Sequence, residues 1–134
     1  IMSMRAGVQF VRHIGTSRIL AHEDSICRRF ISEISKDERI DERMDERITV
    51  YRDPAADYAP IVSFNIGGIP SERAAAFLAK HGYCLRAGLH CSALAHSTLG
   101  TPNGTVRFSP SVFSREDDAV RLAALVRGMR EGKI

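Results

Sequence analysis

The sequence lacks any hydrophobic run long enough to cross a bilayer, and its first residues lack the apolar core and small-residue cleavage site of a secretory signal. It also lacks a disulfide framework, because three cysteines at irregular spacing are an odd number and fit a reducing compartment. We therefore expect no membrane association and no secretion, and we expect a cytoplasmic location.

A strong charge of one sign is absent as well. The formal net charge is only +3, from 19 basic and 16 acidic residues whose signs are interleaved. This balance gives little attraction for a polyanion, so we expect no nucleic-acid partner. At 134 residues and 44% hydrophobic composition, the chain is long enough for one hydrophobic core. We therefore expect a single domain over residues 1–134.

Apolar spacing predicts two helices at the N-terminal end, one over residues 4–13 and one that ends near residue 35. Gly15 separates them, and Thr16 or Ser17 is the predicted cap of the second helix. Within that helix, Glu33 is predicted to face solvent. The residues predicted to face the core are Leu20, Cys27, Phe30, Ile31 and Ile34.

An Asp-Glu-Arg triplet occurs three times at a four-residue period between residues 37 and 47. On a helix this period would place Asp37, Asp41 and Asp45 in line, so that like charges repel each other. The segment is therefore predicted to be a solvated helix extension or a mobile connector, with a docking patch as the alternative.

The rest of the chain alternates strands with helices. Alternating apolar residues predict a strand over residues 61–66 with one buried face. Shorter strands are predicted at 48–51, 83–85 and 106–108, and a polar turn at 97–104. The sequence therefore predicts an α+β domain, with a small antiparallel or mixed sheet of three to four strands packed against helices.

Two further helices are predicted in this part of the chain. One opens at Pro70 and ends near Gly82. The other is capped by Ser114, with Asp117 completing the cap. The residues predicted to supply their apolar surfaces are Ala75, Leu78 and Ala79 in the first and Val120, Leu122, Ala123, Ala124, Leu125, Val126 and Met129 in the second.

Residues 81–100 concentrate reactive side chains, since they include two of the three cysteines and three of the five histidines. Gly88 frees the backbone to turn, and Cys91 falls at that turn beside His90. Arg86 supplies a fixed positive charge nearby. Only the thiolate attacks, and a neighbouring cation favours that form, so Cys91 is a candidate nucleophile. The alternative is a structural cysteine, because most cysteines are small buried hydrophobes.

A metal site is another interpretation of this stretch. Its candidate ligands are His81, Cys84, His90, Cys91 and His96. Their spacings match no common zinc arrangement, and Cys84 is predicted to point inward on a strand. We therefore expect no metal ion here.

Residues 86–91 (RAGLHC), followed by His96 and by residues 104–109 (GTVRFS), resemble the C-terminal segment of the class V aminotransferase family. Within that family they are most similar to the cysteine desulfurase and selenocysteine lyase branch, which uses pyridoxal phosphate. Ser92 and Ala93 depart from the alanine and proline of that pattern. Further similar segments are residues 6–10, 22–23, 50–51 and 59–66.

The resemblance implies the fold of the C-terminal small domain of a fold-type I pyridoxal phosphate enzyme, and it implies roles for individual residues. Cys91 would attack the sulfur of L-cysteine and carry it as a persulfide, with release of alanine. Arg107 would hold the substrate carboxylate through a bidentate pair. Arg86 would add charge to the substrate site, with a structural ion pair as the alternative. His90 would also contact the substrate, with a turn or packing histidine as the alternative.

The resemblance also implies that this chain is a C-terminal fragment of a longer enzyme. The family's cofactor lysine lies in a preceding large domain, and the lysines of this chain, Lys36, Lys80 and Lys133, have no matching setting. We therefore expect no pyridoxal phosphate bound to the fragment. The implied partners are the large domain of the same enzyme, a second copy in a homodimer, a sulfur-acceptor protein and an amino-acid substrate such as L-cysteine.

Two other functions remain open at this point. A class V aminotransferase or lyase without persulfide chemistry would leave Cys91 as a bystander. A non-catalytic interaction domain would keep the fold without the reaction. The rate of thiol alkylation distinguishes a desulfurase from a non-catalytic interaction domain, because an activated thiolate reacts faster near neutral pH than an ordinary thiol.

Overall fold

The computed structural model describes residues 2–36, 47–53 and 56–130. The Asp-Glu-Arg segment lies outside these residues, apart from Arg47. Within the described ranges, no helix is long and apolar enough to cross a membrane. The elements, in chain order, are α1 (Met2–Ile14), α2 (Thr16–Ile34), β1 (Ile48–Val50), β2 (Val62–Ile66), α3 (Ser71–Lys80), β3 (Arg86–Gly88), α4 (Ala93–Thr98), β4 (Thr105–Phe108) and α5 (Glu116–Gly128).

Four strands of the described chain form one sheet in the order β1-β2-β4-β3. Each neighbouring pair is antiparallel. The register places Phe64 opposite Val50 and Val106, and it places Ser63 opposite Arg107. The predicted α+β architecture with a small sheet is therefore confirmed.

The central strand β2 buries one face and leaves the other polar, as its alternation predicts. Val62, Phe64 and Ile66 are buried, whereas Ser63 and Asn65 are only partly covered. Because successive side chains of a strand point to opposite faces, the sheet has an apolar face toward the helices and a polar face on the other side.

Phe30 of α2 joins the helices to the apolar face of the sheet. Its ring centroid lies 5.5 Å from that of Phe64 and 4.7 Å from that of Phe108. Leu78 of α3 and Leu122 of α5 are buried in the same cluster. Burying a phenylalanine side chain stabilises a fold by roughly 1.5–3 kcal/mol, so Phe30 is a main anchor of this layer.

Both predicted N-terminal helices are confirmed, but the prediction that Glu33 faces solvent is wrong. Glu33 is buried, and its carboxylate lies 2.8 Å from Lys36, 3.0 Å from Arg29 and 3.8 Å from Arg127 of α5. The hydrogen bond from Lys36, together with these positive charges, lowers the pKa of Glu33 against the opposing effect of burial. A buried carboxylate is tolerated here because cations satisfy it.

Three apolar residues that were predicted to face the core are exposed instead: Leu20 of α2, Ala79 of α3 and Ala124 of α5. Burial in α2 is confined to its C-terminal half. Helix α3 buries Ala74 in place of Ala79. Alanine-rich runs carry small apolar residues on every side of a helix, so their periodicity does not identify the buried face.

No side chain caps α2 or α5, so both predicted caps are wrong. Helix α2 follows α1 after the single residue Gly15, whose φ is 90°, and Thr16 already lies within the helix. The hydroxyl of Ser114 instead accepts the backbone N–H of Ser111 at 2.9 Å, which closes the turn before α5.

The segment after α3 differs most from the prediction. Residues 83–85 do not form a strand, and Cys84 is exposed. The strand of this region is β3, whose position depends on pairing with β4, a long-range contact that local hydrophobicity does not encode. Helix α4 was not predicted because its 6 residues are too few for a helical period to be recognised.

A close approach between Gly88 and Gly104 fixes β3 against the turn before β4. The φ of Gly104 is +75°, and a Cβ at this residue would lie 2.3 Å from the carbonyl carbon of Gly88. No residue with a side chain fits such a contact. The pair therefore sets where the loop after β3 begins.

Candidate functional site

Cys91 lies in the loop between β3 and α4, and its side chain is exposed. Cys91 and His90 both have positive φ values, of 61° and 50°. A backbone hydrogen bond of 2.9 Å from Ser92 to Leu89 closes the turn around them. The left-handed conformation costs residues with a Cβ about 1–2 kcal/mol each, so the surroundings must hold this loop in place.

His90 connects the Cys91 loop to strand β4. Its Nε2 atom lies 3.1 Å from the carbonyl oxygen of Thr105. A carbonyl oxygen only accepts, so Nε2 carries the proton and donates. The His90 ring also lies beside the ring of His96, with 5.9 Å between centroids, and His96 Nδ1 is 2.8 Å from the hydroxyl of Thr101.

The pKa of His90 is lowered from its ordinary value. Burial is the largest cause that lowers its pKa, and the nearby charges of Arg107, His96 and Arg86 act in the same direction, against the hydrogen bond to Thr105. Because the single proton of the neutral ring is on Nε2, Nδ1 presents a lone pair. Nδ1 is buried and has no hydrogen-bond partner among the described residues.

Arg86 and Arg107 lie directly opposite each other on β3 and β4, and Ser63 of β2 lies opposite Arg107 on its other side. Like charges at opposite positions repel each other. In the part of the chain that the structure describes, neither arginine has an acidic partner, and the Nε atom of Arg107 is buried without a hydrogen bond. This polar face therefore suits an anion, and a carboxylate matches the planar fork of a guanidinium.

The predicted site residues lie on the edge strand β3, in the loop that follows it and on the neighbouring strand β4. Thr105, which binds His90, lies two residues before Arg107 on β4, so their side chains share the polar face. Cys91 follows His90 directly. The Cys91 loop and the two arginines thus belong to one region of the fold, linked through strands β3 and β4.

The other cysteines have different environments. Cys27 is buried in the core, as predicted, and burial raises the pKa of its thiol to about 11. Cys84 is exposed and lines a separate cavity of about 470 Å³ together with His81 and Asp118. Among the described residues, no three histidine, cysteine or acidic side chains are grouped as a metal site would require.

The sequence analysis missed two polar neighbours of Arg107. Ser63 faces it across the β2–β4 pair, and Asn65 donates a hydrogen bond of 3.1 Å from Nδ2 to the carbonyl oxygen of Gly104. The alternation of β2 predicted that Ser63 and Asn65 share a face. It could not show that Arg107 is on the neighbouring strand, because strand order is a property of the fold.

A lysine suited to hold pyridoxal phosphate is missing from the described part of the site. Lys36 pairs with Glu33 at the end of α2, and Lys80 is exposed at the end of α3. Lys133 lies outside the described residues. Neither described lysine therefore has a setting suited to covalent attachment of the cofactor.

The chain is similar to known proteins along nearly its whole length. A family model described as aminotransferase class-V matches residues 1–122. The chain is 28% identical over 130 residues to a probable cysteine desulfurase of Halobacterium salinarum, which covers 97% of this chain and 29% of that protein. It is 29% identical over 126 residues to a cysteine desulfurase of Haloferax volcanii, which covers 94% of this chain and 28% of that protein.

Solved structures share the fold. The apo structure of a cysteine desulfurase from Thermococcus onnurineus superposes with a TM-score of 0.79 at 27% identity, over 92% of this chain and 28% of that one. A cysteine desulfurase from Escherichia coli superposes with a TM-score of 0.75 at 19% identity, over 90% of this chain and 27% of that one. This chain spans 29% or less of the length of each relative.

Proposed function

The chain belongs to the aminotransferase class-V family, and we propose that it forms the C-terminal domain of a pyridoxal phosphate-dependent cysteine desulfurase. One observation carries the proposal. The exposed thiol of Cys91 lies in a loop that His90 connects to strand β4, and β4 carries Arg107, whose Nε atom is buried without a hydrogen-bond partner among the described residues. An anion site beside a nucleophile is what removal of sulfur from an amino acid requires.

In the proposed reaction, Arg107 holds the carboxylate of L-cysteine by two parallel hydrogen bonds, and Arg86 adds positive charge from the opposite strand. The Cys91 thiolate attacks the substrate sulfur, so that a sulfur–sulfur bond forms while the carbon–sulfur bond breaks. The electron pair of the broken bond stays with carbon, which takes up a proton to give alanine. Cys91 is left as a persulfide.

Pyridoxal phosphate, when bound, supplies an electron sink that makes the carbon–sulfur bond labile. We assign its attachment to a large domain of the full-length enzyme, since neither described lysine lies beside Cys91 or Arg107. A homodimer and a sulfur-acceptor protein complete the proposal. A thiolate of the acceptor attacks the outer sulfur of the exposed Cys91 persulfide, so that a new sulfur–sulfur bond forms, the persulfide bond breaks and Cys91 leaves as a thiolate.

A class V aminotransferase or lyase is the alternative within the family. The arginine pair favours it equally, because any amino-acid substrate carries a carboxylate. The two functions differ in their need for Cys91, so the thiol decides between them.

The test is sulfide release from L-cysteine by the full-length enzyme in the presence of a reducing thiol. Cys91→Ser should lose sulfide release, because a hydroxyl is not ionised near neutral pH and holds no persulfide. Cys84→Ser is the matched control, since Cys84 is also exposed but lines another cavity. It should retain full activity. Undiminished sulfide release by Cys91→Ser would exclude the proposal in favour of the alternative.

Arg107→Ala tests the carboxylate site in the same assay. The loss of a charge-assisted contact is expected to lower kcat/KM for L-cysteine by roughly ten- to a hundredfold, that is about 1.5–3 kcal/mol. Arg107→Lys should recover little, because a point charge does not reproduce the fork. An unchanged kcat/KM in Arg107→Ala would remove Arg107 from the site.

A further inference from the structure

The loop that carries Cys91 has an unfavourable backbone conformation. His90 and Cys91, at φ values of 50° and 61°, are consecutive residues with side chains in the left-handed region. Such conformations persist where neighbouring groups hold them. Cys91 is exposed, so its own side chain offers little packing to stabilise the turn. Another contact must therefore hold the loop.

His90 supplies that contact. Its Nε2–H donates to the carbonyl oxygen of Thr105 at 3.1 Å and lies 3.3 Å from the hydroxyl of the same residue. The bond connects residues 15 positions apart in the sequence, and it joins the loop to the strand of Arg107. Movement of the Cys91 loop relative to Arg107 would have to break it.

A second histidine supports the ring of His90. His96 is buried, its ring lies 5.9 Å from that of His90, and its Nδ1 is 2.8 Å from the hydroxyl of Thr101. The backbone N–H of Thr101 in turn donates to the carbonyl oxygen of His96 at 2.8 Å. The imidazole of His90 thus lies beside a residue that Thr101 holds through both its ring and its backbone.

We propose that His90 is a positioning residue, whose Nε2–H bond to Thr105 holds Cys91 in its left-handed conformation and fixes the thiol relative to the amino acid bound at Arg107. This inference rests on the proposed function and assigns His90 a role other than substrate contact. The lowered pKa of His90 agrees with it, because a neutral ring has a single N–H and that group is already used by Thr105.

The test compares two amides at residue 90. The side chain of His90→Gln places its amide nitrogen near the position of Nε2, so it can donate to Thr105, whereas His90→Asn is too short. In the full-length enzyme, His90→Asn should lower kcat for sulfide release by roughly ten- to a hundredfold with little change in KM for L-cysteine, since misplacement of a reacting group slows the step without weakening binding. His90→Gln should recover most of kcat.

Two results in this assay would overturn the inference. If His90→Gln is as slow as His90→Asn, the hydrogen bond does not position the thiol. If His90→Asn raises KM and leaves kcat unchanged, His90 contacts the substrate instead. Both results are compatible with desulfurase activity that depends on Cys91, so the proposed function would stand.

Hydrogen exchange in the 134-residue chain tests the tether without any activity. The amide of Ser92, which donates to Leu89, should exchange about tenfold faster in His90→Asn than in the unsubstituted chain or His90→Gln. The amide of Phe30 in the core of α2 reports whether each variant is folded. Equal exchange rates of the Ser92 amide in the three folded proteins would show that the His90–Thr105 bond does not hold the loop. The absence of sulfide release by the unsubstituted full-length enzyme would overturn only the proposed function.

Discussion

Single residues at the β3–β4 contact determine where the candidate site lies. Gly88 and Gly104 approach so closely that a Cβ at residue 104 would lie 2.3 Å from a backbone carbon. Neither β3 nor the turn at Gly104 can move apart easily, because β3 is paired to β4 and Asn65 donates a hydrogen bond of 3.1 Å to the carbonyl oxygen of Gly104. The position of Cys91 thus depends on a residue that has no side chain.

Gly104→Ala should therefore destabilise the chain by at least about 2–3 kcal/mol, because the added methyl group meets backbone and φ is +75°. Chemical denaturation of the 134-residue chain measures the change. Gly128→Ala is the matched control, since it lies at the end of α5 with nothing within 4 Å of the added Cβ. That variant should be neutral or gain up to about 1 kcal/mol. Equal stability of the two variants would contradict the close approach.

At the scale of elements, the sequence predicted most reliably what depends on neighbouring residues. The alternation of β2 gave both the strand and its buried face, and both are confirmed. The strand at 83–85 was wrong because three apolar or aromatic residues in a row satisfy a local pattern, while the actual strand, β3, contains Arg86 and is defined by its partner β4. The roles of Cys91 and Arg107 came from family resemblance, and their common location came only from the fold.

The contact between α2 and α5 contains a charge cluster that sequence periodicity did not reveal. Glu33 was predicted to face solvent because a carboxylate is normally exposed. It is buried because Arg29 of α2, Lys36 just after α2 and Arg127 of α5 surround it. Since Arg127 is on another helix, no pattern within α2 could indicate this pairing.

Glu33→Gln should reduce stability at pH 7 by about 1–3 kcal/mol, since it removes the charged acceptor and leaves the partly buried cation of Arg127 less well paired. The pKa of Glu33 is lowered in the folded chain, so its contribution is present above the unfolded value of 4.5 and is lost as pH falls through the folded pKa. The difference between variant and unsubstituted chain should therefore shrink below pH 4.5.

Denaturation curves at several pH values measure this dependence. Asp57→Asn is the control, because Asp57 is exposed and the described residues include no ion pair to it. Its effect should stay within about 0.5 kcal/mol at every pH. A difference for Glu33→Gln that does not change between pH 7 and pH 3 would contradict the charge cluster.

At the scale of the whole molecule, several large apolar side chains face outward. Met4 is 74% exposed, Leu94 86% and Phe113 78%. Apolar periodicity does not distinguish a residue that faces the core of its own chain from one that faces another part of a longer polypeptide. This is one reason that the prediction of a buried Leu20 was wrong. The chain spans 29% of the Halobacterium salinarum relative, and the large domain that we propose for the full-length enzyme would offer surface to cover these residues.

The central claim is that Cys91 receives the substrate sulfur. Mass spectrometry of the full-length enzyme after brief exposure to L-cysteine, with alkylation to trap persulfides, tests it most directly. We expect the peptide that contains Cys91 to gain the mass of one sulfur atom, and we expect no gain at the exposed Cys84 or at Cys27, whose pKa of about 11 keeps it a thiol. Sulfide release without any sulfur on Cys91, or with the sulfur on Cys84, would contradict the account.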